Sequence, residues 1–302
     1  MRGIIAAGLF VSIASSQQTF RVSVDAVRVD VLVMDGNRPV TELTAGDFEL
    51  RDSGVLQQID SVSFEAAPLS MMLVLDASSS VRGQSLQHLK QAASAVAGLL
   101  GPGDRAALLT FSQEVDLSSE WTANRQQLDR AIEGTQATGS TALYDAAYAA
   151  LTLRDPQAGR WLVLIFTDGD DTASWLPGRT ILDLARRNDA VVYGVGLGTS
   201  PVRKSGFLID FRSGPQFDIP RVIPSELRKL FLATLAEETG GKYIDAERSD
   251  RLREAFVQIV NEFRSRYLLM YTPRGVEADG WHQIELKVRN KRTVTARRGY
   301  LR

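Results

Sequence analysis

The sequence predicts an α/β protein: a Rossmann-like, doubly wound, mostly parallel sheet inserted into a small β-sandwich made from the two chain ends. Three observations carry this. Met71-Met72-Leu73-Val74-Leu75 and Trp161-Leu162-Val163-Leu164-Ile165-Phe166 are continuous apolar runs, as in strands buried on both faces. Helical apolar stripes separate such runs, which calls for parallel strands with crossover helices. Residues 20–66 and 267–302 instead alternate apolar with polar residues, and each is only about 40 residues long, too short to bury a core alone.

The elements follow in order. Met1-Arg2 and the apolar run Gly3–Ala14 have the shape of a signal peptide, too short to span a bilayer. Small residues at Ser12, Ala14, Ser15 and Ser16 suit cleavage near Ala14 or Ser16, so residues 1–16 are expected to direct export to the periplasm or beyond. No later segment reads as a membrane span. Residues 17–66 form the first part of the β-domain. Val22, Val24, Val27, Val29, Val31 and Val33 alternate, with a phase change at Ala26–Val27 that predicts a bulge. Asp35-Gly36 and Ser53-Gly54 are turns, with Phe48 and Leu50 alternating between them and Ile59, Val62 and Phe64 after.

Residues 67–264 form the α/β unit. After the first buried run comes a helix with Leu86, Leu89, Ala93, Val96 and Leu100 on one stripe, ended by Gly101-Pro102-Gly103. Strand 106–111, helices 124–133 and 142–153, strand 161–166, helix 178–188 and strand Val191–Val195 continue the rhythm. Residues 199–224, rich in Gly, Pro, Arg and Ser, read as an inserted loop. Helix 225–239, strand Lys242–Ile244 and helix 250–264 close the unit. Residues 265–302 return to strands: Tyr267–Tyr271, a turn at Asp279-Gly280, then Trp281, Ile284, Leu286 and Val288, and Thr293–Arg297.

Composition excludes several chemistries. The 302 residues are 44% hydrophobic and 24% charged, with a net charge of −1. No basic excess exists to neutralise phosphates, so nucleic acid is not an expected partner. Without cysteine there are no disulfides, thiolate metal sites or cysteine nucleophiles. His88 and His282 are the only imidazoles, too few for a histidine-rich zinc site. Trp121, Trp161 and Trp175 read as core or rim packing, and Arg186-Arg187 and Arg297-Arg298 as solvated pairs. Gly194-Val195-Gly196-Leu197-Gly198 lacks the spacing of a dinucleotide loop and reads as a strand end.

In open α/β sheets, ligands bind at the carboxyl ends of the strands. The first buried strand ends in Asp76-Ala77-Ser78-Ser79-Ser80, and the third in Thr167-Asp168-Gly169-Asp170-Asp171. Between them, Gly139-Ser140-Thr141 opens a helix, with Thr138 a rival of the same chemistry. Each piece alone also reads as a helix cap.

In this order, on this rhythm, the three pieces resemble the von Willebrand factor A (VWA) fold and its metal ion-dependent adhesion site. The resemblance covers 69–264, and the matching positions are Asp76, Ser78, Ser80, Thr141 and Asp168. Ser140 departs from it, standing where a second glycine is usual. The flanks, with Phe48-Glu49-Leu50-Arg51-Asp52, Tyr271-Thr272-Pro273, Asp279-Gly280-Trp281 and Arg298-Gly299-Tyr300, resemble an exported bacterial subfamily related to this domain. The resemblance implies one divalent cation and a partner protein whose Asp or Glu completes its coordination, in an adhesion or interaction module that is not an enzyme. Hard oxygen donors suit Mg²⁺, with Mn²⁺ or Ca²⁺ as alternatives. Two other readings stay open. Asp168-Gly169-Asp170-Asp171-Thr172 fits the first motif of haloacid dehalogenase-like phosphatases, with Asp168 as phosphoryl acceptor and Asp170 as acid–base. That motif normally opens its fold, whereas here two strand–helix units precede it. The other is a structural module with an empty metal site.

Overall fold

The computed structural model describes residues 26–64, 67–157, 159–197, 224–290 and 292–302. The expected signal peptide, the residues up to Asp25 and nearly all of the 199–224 insertion lie outside them. The chain first forms β1 (Val27–Asp35), β2 (Arg38–Pro39), β3 (Phe48–Asp52), β4 (Val55–Gln57) and β5 (Ile59–Phe64). Next come β6 (Leu69–Asp76), α1 (Gln84–Ala97), β7 (Arg105–Phe111), β8 (Val115–Thr122), α2 (Arg125–Gly134) and α3 (Leu143–Thr152). They are followed by β9 (Arg160–Thr167), α4 (Gly178–Arg186), β10 (Val191–Leu197), α5 (Pro224–Thr239), β11 (Tyr243–Ala246) and α6 (Leu252–Arg264). Finally β12 (Tyr267–Tyr271), β13 (Trp281–Val288), β14 (Thr293–Thr295) and β15 (Gly299–Leu301) end the chain.

The central sheet has the order β11-β10-β9-β6-β7-β8. It is parallel except at β8, which pairs antiparallel with β7 at one edge. Every residue of β6 and β9 is buried, as their continuous apolar sequences require. Side chains alternate across the sheet. Met71, Leu73 and Leu75 pack with α1, α2 and α6, while Met72 and Val74 pack with α3, α4 and α5. The glycines of β10 are a packing device. A Cβ on Gly194 would lie 3.0 Å from Leu232 Cβ, and one on Gly196 would overlap the Tyr243 ring. β8 has no counterpart in the sequence reading, because Asp116, Leu117 and Glu120 face solvent and its pairing is interrupted by register shifts.

The chain ends build two further sheets, each with strands from before and after the α/β unit. One has the order β14-β1-β12-β5, with β2 on β1; the other is β15-β13-β3-β4. Val29 pairs with Leu269 in the first, and Leu50 with Leu286 in the second. Val29, Val31, Val33, Tyr267 and Leu269 share one apolar core with Phe48, Leu50, Ile284 and Tyr300 of the other sheet. In β13 the inward residues are His282 and Ile284, and Trp281 is 41% exposed. This corrects the grouping of Trp281 with Ile284: an odd separation puts two residues on opposite faces. Trp281 instead packs on the Arg186 guanidinium, 5.1 Å from its ring centroid.

Buried arginines join the units. Arg160, which opens β9, donates from Nε to Asp30 in β1 (2.8 Å) and from Nη2 to the Phe263 carbonyl (2.9 Å). Arg297 donates to the carbonyls of Asn188 (2.7 Å) and Arg186 (3.0 Å) and is buried, so it is a clamp rather than half of a solvated pair. Arg186 pairs with the buried Glu238 at 3.0 Å. Deleting residues 17–66 is expected to strip hydrogen-exchange protection from both β12 and β13, because β1 and β5 flank the first and β3 pairs with the second. Unchanged protection of 281–288 after the deletion would contradict this dependence.

Candidate functional site

The site lies where β6 and β9 end, beside the loop that opens α3. β6 carries Asp76 into full burial. Asp76 Oδ1 accepts from the Ser78 amide (2.7 Å), and Oδ2 accepts from Thr167 Oγ1 (2.5 Å). Ser78 Oγ lies 2.9 Å from Ser80 Oγ, which donates to Asp168 Oδ1 at 2.6 Å. The loops are stitched through their backbones. The Ser79 amide donates to the Gly139 carbonyl (3.0 Å) and the Thr138 amide to the Ala77 carbonyl (2.7 Å). Gly139 has φ +75°, the left-handed conformation that favours glycine. Thr141 donates its amide to Thr172 Oγ1 (3.1 Å), and its carbonyl accepts from the amides of Thr172 (2.8 Å) and Ala173 (3.0 Å).

Gly169 marks the point these loops surround. A Cβ built there would lie 2.9 Å from Thr141 Oγ1, 3.4 Å from Ser80 Oγ and 3.6 Å from Asp76 Oδ2. Oxygens from two loops thus face one small space on a third, which only a glycine leaves open. Ser78 and Asp168 join the group through Ser80. All five residues named from the sequence therefore stand together. Of the two threonines weighed, Thr141 is buried with its hydroxyl toward this point, whereas Thr138 is exposed and contributes its backbone.

Three further residues shape the site. Thr167, fully buried, fixes Asp76 through its hydroxyl. Gly169 supplies the space. Arg228, buried in α5, donates from Nη1 to the Asp168 carbonyl and so holds the turn after β9. Thr167 and Gly169 were legible in the Thr-Asp-Gly turn. Arg228 reaches the turn from 60 residues away and left no local signal.

Electrostatics favour an added positive charge. Burial raises the Asp76 carboxyl above its usual range; hydrogen bonds from Thr167 and Ser78 oppose this, and the Asp168 charge adds to it. Burial also raises Asp170 and Asp171, eased at Asp170 by Arg228 and at Asp171 chiefly by the Ser174 hydroxyl. Burial, then the charges of Asp171 and Asp170, push the neighbouring Tyr144 up to about 12. Among the described residues no group of three His, Cys, Asp or Glu is placed to hold a metal. A cation here would need the hydroxyl oxygens as well as Asp76 and Asp168. That set of hard oxygens fits Mg²⁺, Mn²⁺ or Ca²⁺, which take carboxylate, hydroxyl and water ligands.

The geometry does not favour the phosphatase reading. Asp168 is engaged with Ser80, while Asp170 has Arg228 as its charged neighbour. The pair ends the third parallel strand in chain order, after β6 and β7. His88 Nδ1 lies 2.8 Å from Ser249 Oγ.

This sheet and this loop arrangement are similar to those of von Willebrand factor type A domains. The family model of that name matches residues 71–170, a stretch that contains all five residues. Inter-alpha-trypsin inhibitor heavy chain H4 from Homo sapiens is 23% identical over 289 residues, covering 87% of this chain and 28% of that protein. The Bos taurus protein of the same name is 24% identical over 285 residues, with the same coverage of 87% and 28%. The chain therefore spans less than a third of these relatives. Among solved structures, a von Willebrand factor type A protein from Catenulispora acidiphila aligns with TM-score 0.52 and 12% identity, over 89% of this chain and 76% of that one. Proximal thread matrix protein 1 from the mussel byssus, in a form with a zinc-occupied MIDAS motif, aligns with TM-score 0.52 and 19% identity, over 70% of this chain and 49% of that one. At these identities the likeness shows the fold.

Proposed function

We propose that the chain is a divalent-cation-dependent protein-binding module, with residues 67–264 as the binding unit carried between 17–66 and 265–302. In this reading Asp76, Ser78, Ser80, Thr141 and Asp168 hold one Mg²⁺, or Mn²⁺ or Ca²⁺ in its place. The observation that carries it is the ring of oxygens around the missing Cβ of Gly169. When bound, the cation supplies a Lewis-acidic position for an Asp or Glu side chain of a partner protein. The chain's own residues set the balance. Two carboxylates provide charge, and three hydroxyls provide donors without neutralising the ion further. Thr167 and Arg228 keep Asp76 and the Asp168 turn in place. The zinc-occupied site of the mussel protein supports divalent binding in this fold, while the hydroxyl-rich donors here favour Mg²⁺ over zinc.

The apolar run Gly3–Ala14 supports export, and with it an interaction or adhesion role in the periplasm or outside the cell. Among the described residues no helix is long and apolar enough to cross a membrane. Calorimetry with Mn²⁺ tests the site. Partner binding is expected to vanish in excess chelator and to return with Mg²⁺. A partner retained equally in both conditions would remove the ion as the bridge. Absence of any cation binding would favour the structural-module reading, and Mg²⁺-dependent phosphatase turnover the enzyme one.

A further inference from the structure

We propose that Trp175 is a second anchor of the partner-binding face, and that the partner is an extended segment carrying an acidic side chain with a large apolar side chain two residues away. The proposal rests on the metal-site reading above. Trp175 is 93% exposed, whereas the next most exposed large apolar side chain among the described residues, Leu56, reaches 60%. The expectation of rim packing for Trp175 is thereby corrected; Trp161 is buried and Trp121 half-buried, as that expectation supposed.

The backbone beneath the indole is fixed. The Trp175 amide donates to Asp145 Oδ2 (2.9 Å) and the Leu176 amide to Asp145 Oδ1 (3.0 Å). Ser174 Oγ donates to Asp171 Oδ1 (2.5 Å) and accepts from the amides of Tyr144 (3.0 Å) and Asp145 (3.2 Å). Leu176 packs on the core under α3 and α4. Both neighbours of Trp175 are thus tied to the first turn of α3, the helix that Thr141 precedes.

Single exposed apolar residues are ordinary on protein surfaces. Three features set this one apart: near-complete exposure, a hydrogen-bonded backbone and continuity with the metal site. The Ala173 amide is bonded to the Thr141 carbonyl, and two residues of chain reach no further than about 7 Å. Trp175 therefore belongs to the same loop cluster as the oxygens around Gly169. An indole offers a large apolar face and one N–H donor, the profile of an interface anchor. Its pre-ordered backbone lowers the ordering cost of binding.

The chemistry of the loop selects the occupant. Asp170 and Asp171 lie in sequence between Asp168 and Trp175, so a second acidic residue passing over this stretch would be repelled. In an extended segment, residues i and i+2 share one face about 7 Å apart. One acidic and one apolar side chain two residues apart therefore face the loop cluster together.

The probes are two short peptides, each with one glutamate in a serine and glycine background. One has phenylalanine two residues after the glutamate, and the other has serine there. In Mg²⁺ the native protein is expected to bind the phenylalanine peptide at least about tenfold more tightly. Trp175→Ala should erase that preference and Trp175→Phe should keep most of it. Mn²⁺ affinity should be unchanged in both variants, which separates this proposal from the metal site. Equal affinity of the two peptides for the native protein would overturn the proposal. So would a preference that survives in Trp175→Ala, or a native protein that binds Mn²⁺ but neither peptide. A native protein that fails to bind Mn²⁺ would overturn the metal reading and this proposal with it.

Discussion

Replacing Gly169 with alanine should abolish divalent-cation binding without removing any proposed ligand. The new methyl would sit 2.9 Å from Thr141 Oγ1, 3.4 Å from Ser80 Oγ and 3.6 Å from Asp76 Oδ2, in the space proposed for the cation, and would push the Thr141 hydroxyl aside. A ligand present at a hundredfold excess over its Kd stabilises a fold by about 2.7 kcal/mol. The native protein should show a gain of that order in saturating Mn²⁺, and Gly169→Ala none. Asp76→Asn should also lose the gain, for a different reason: it removes charge rather than space. In chelator this second variant has a distinct signature. The folded protein holds the Asp76 proton more tightly than the unfolded chain does, because burial opposes ionisation. The stability linked to that proton is full below the ordinary value of 3.8 and is lost as pH rises through the raised folded value. The chelated native protein should therefore weaken relative to Asp76→Asn as pH climbs from the acid range towards neutrality. Thermal unfolding with and without Mn²⁺ measures both effects. A native-sized Mn²⁺ gain in Gly169→Ala would show that the cation does not sit among these oxygens.

What could be read in advance followed from how strongly local sequence was constrained. β6 and β9 were legible because strands buried on both faces admit apolar residues at every position. Asp76, Ser78, Ser80 and Asp168 were legible because the turns after those strands are short and their polar residues stand out against the runs before them. β8 was not, because an antiparallel edge strand with a solvated face carries little apolar signal. Long-range partners were hidden for another reason. Arg228, Arg160 and Arg297 owe their burial to carbonyls and carboxylates distant in the chain, and nothing beside them in sequence separates a clamp from a solvated arginine. The exposure of Trp175 was equally invisible, since tryptophan more often packs than projects. In β13 the three-residue step from Trp281 to Ile284 contained the information that they face opposite ways, and the inward residue proved to be His282.

His282 leads to the second large effect, which is expected at Asp52. Replacing Asp52 with alanine should destabilise the flanking sheets by about 3–5 kcal/mol, the usual cost of removing one partner from a buried charged network. Asp52 is fully buried on β3. Its Oδ2 accepts from the hydroxyls of Tyr271 (2.9 Å) and Tyr300 (2.8 Å). Its Oδ1 lies 3.0 Å from His282 Nδ1 and accepts from Ser53 Oγ at 3.1 Å. The His282 ring stacks on Tyr300 with centroids 4.6 Å apart. Tyr271 belongs to β12, in the sheet opposite β3, so one carboxylate joins both sheets and both chain ends. This gives the flanking motifs a physical role. Asp52 ends Phe48-Glu49-Leu50-Arg51-Asp52, Tyr271 opens Tyr271-Thr272-Pro273, His282 follows Asp279-Gly280-Trp281, and Tyr300 ends Arg298-Gly299-Tyr300. Burial raises both tyrosine hydroxyls above their usual range, with the Asp52 charge acting in the same direction. They remain protonated donors at neutral pH, and without Asp52 each is a buried donor lacking this acceptor. Asp52→Asn keeps one carbonyl oxygen and should cost less than alanine. Urea denaturation followed through tyrosine and tryptophan signals reads the loss as a lower midpoint, while Mn²⁺ affinity of the folded variant should match the native value. An unchanged midpoint in Asp52→Ala would show that the two sheets hold together without this carboxylate.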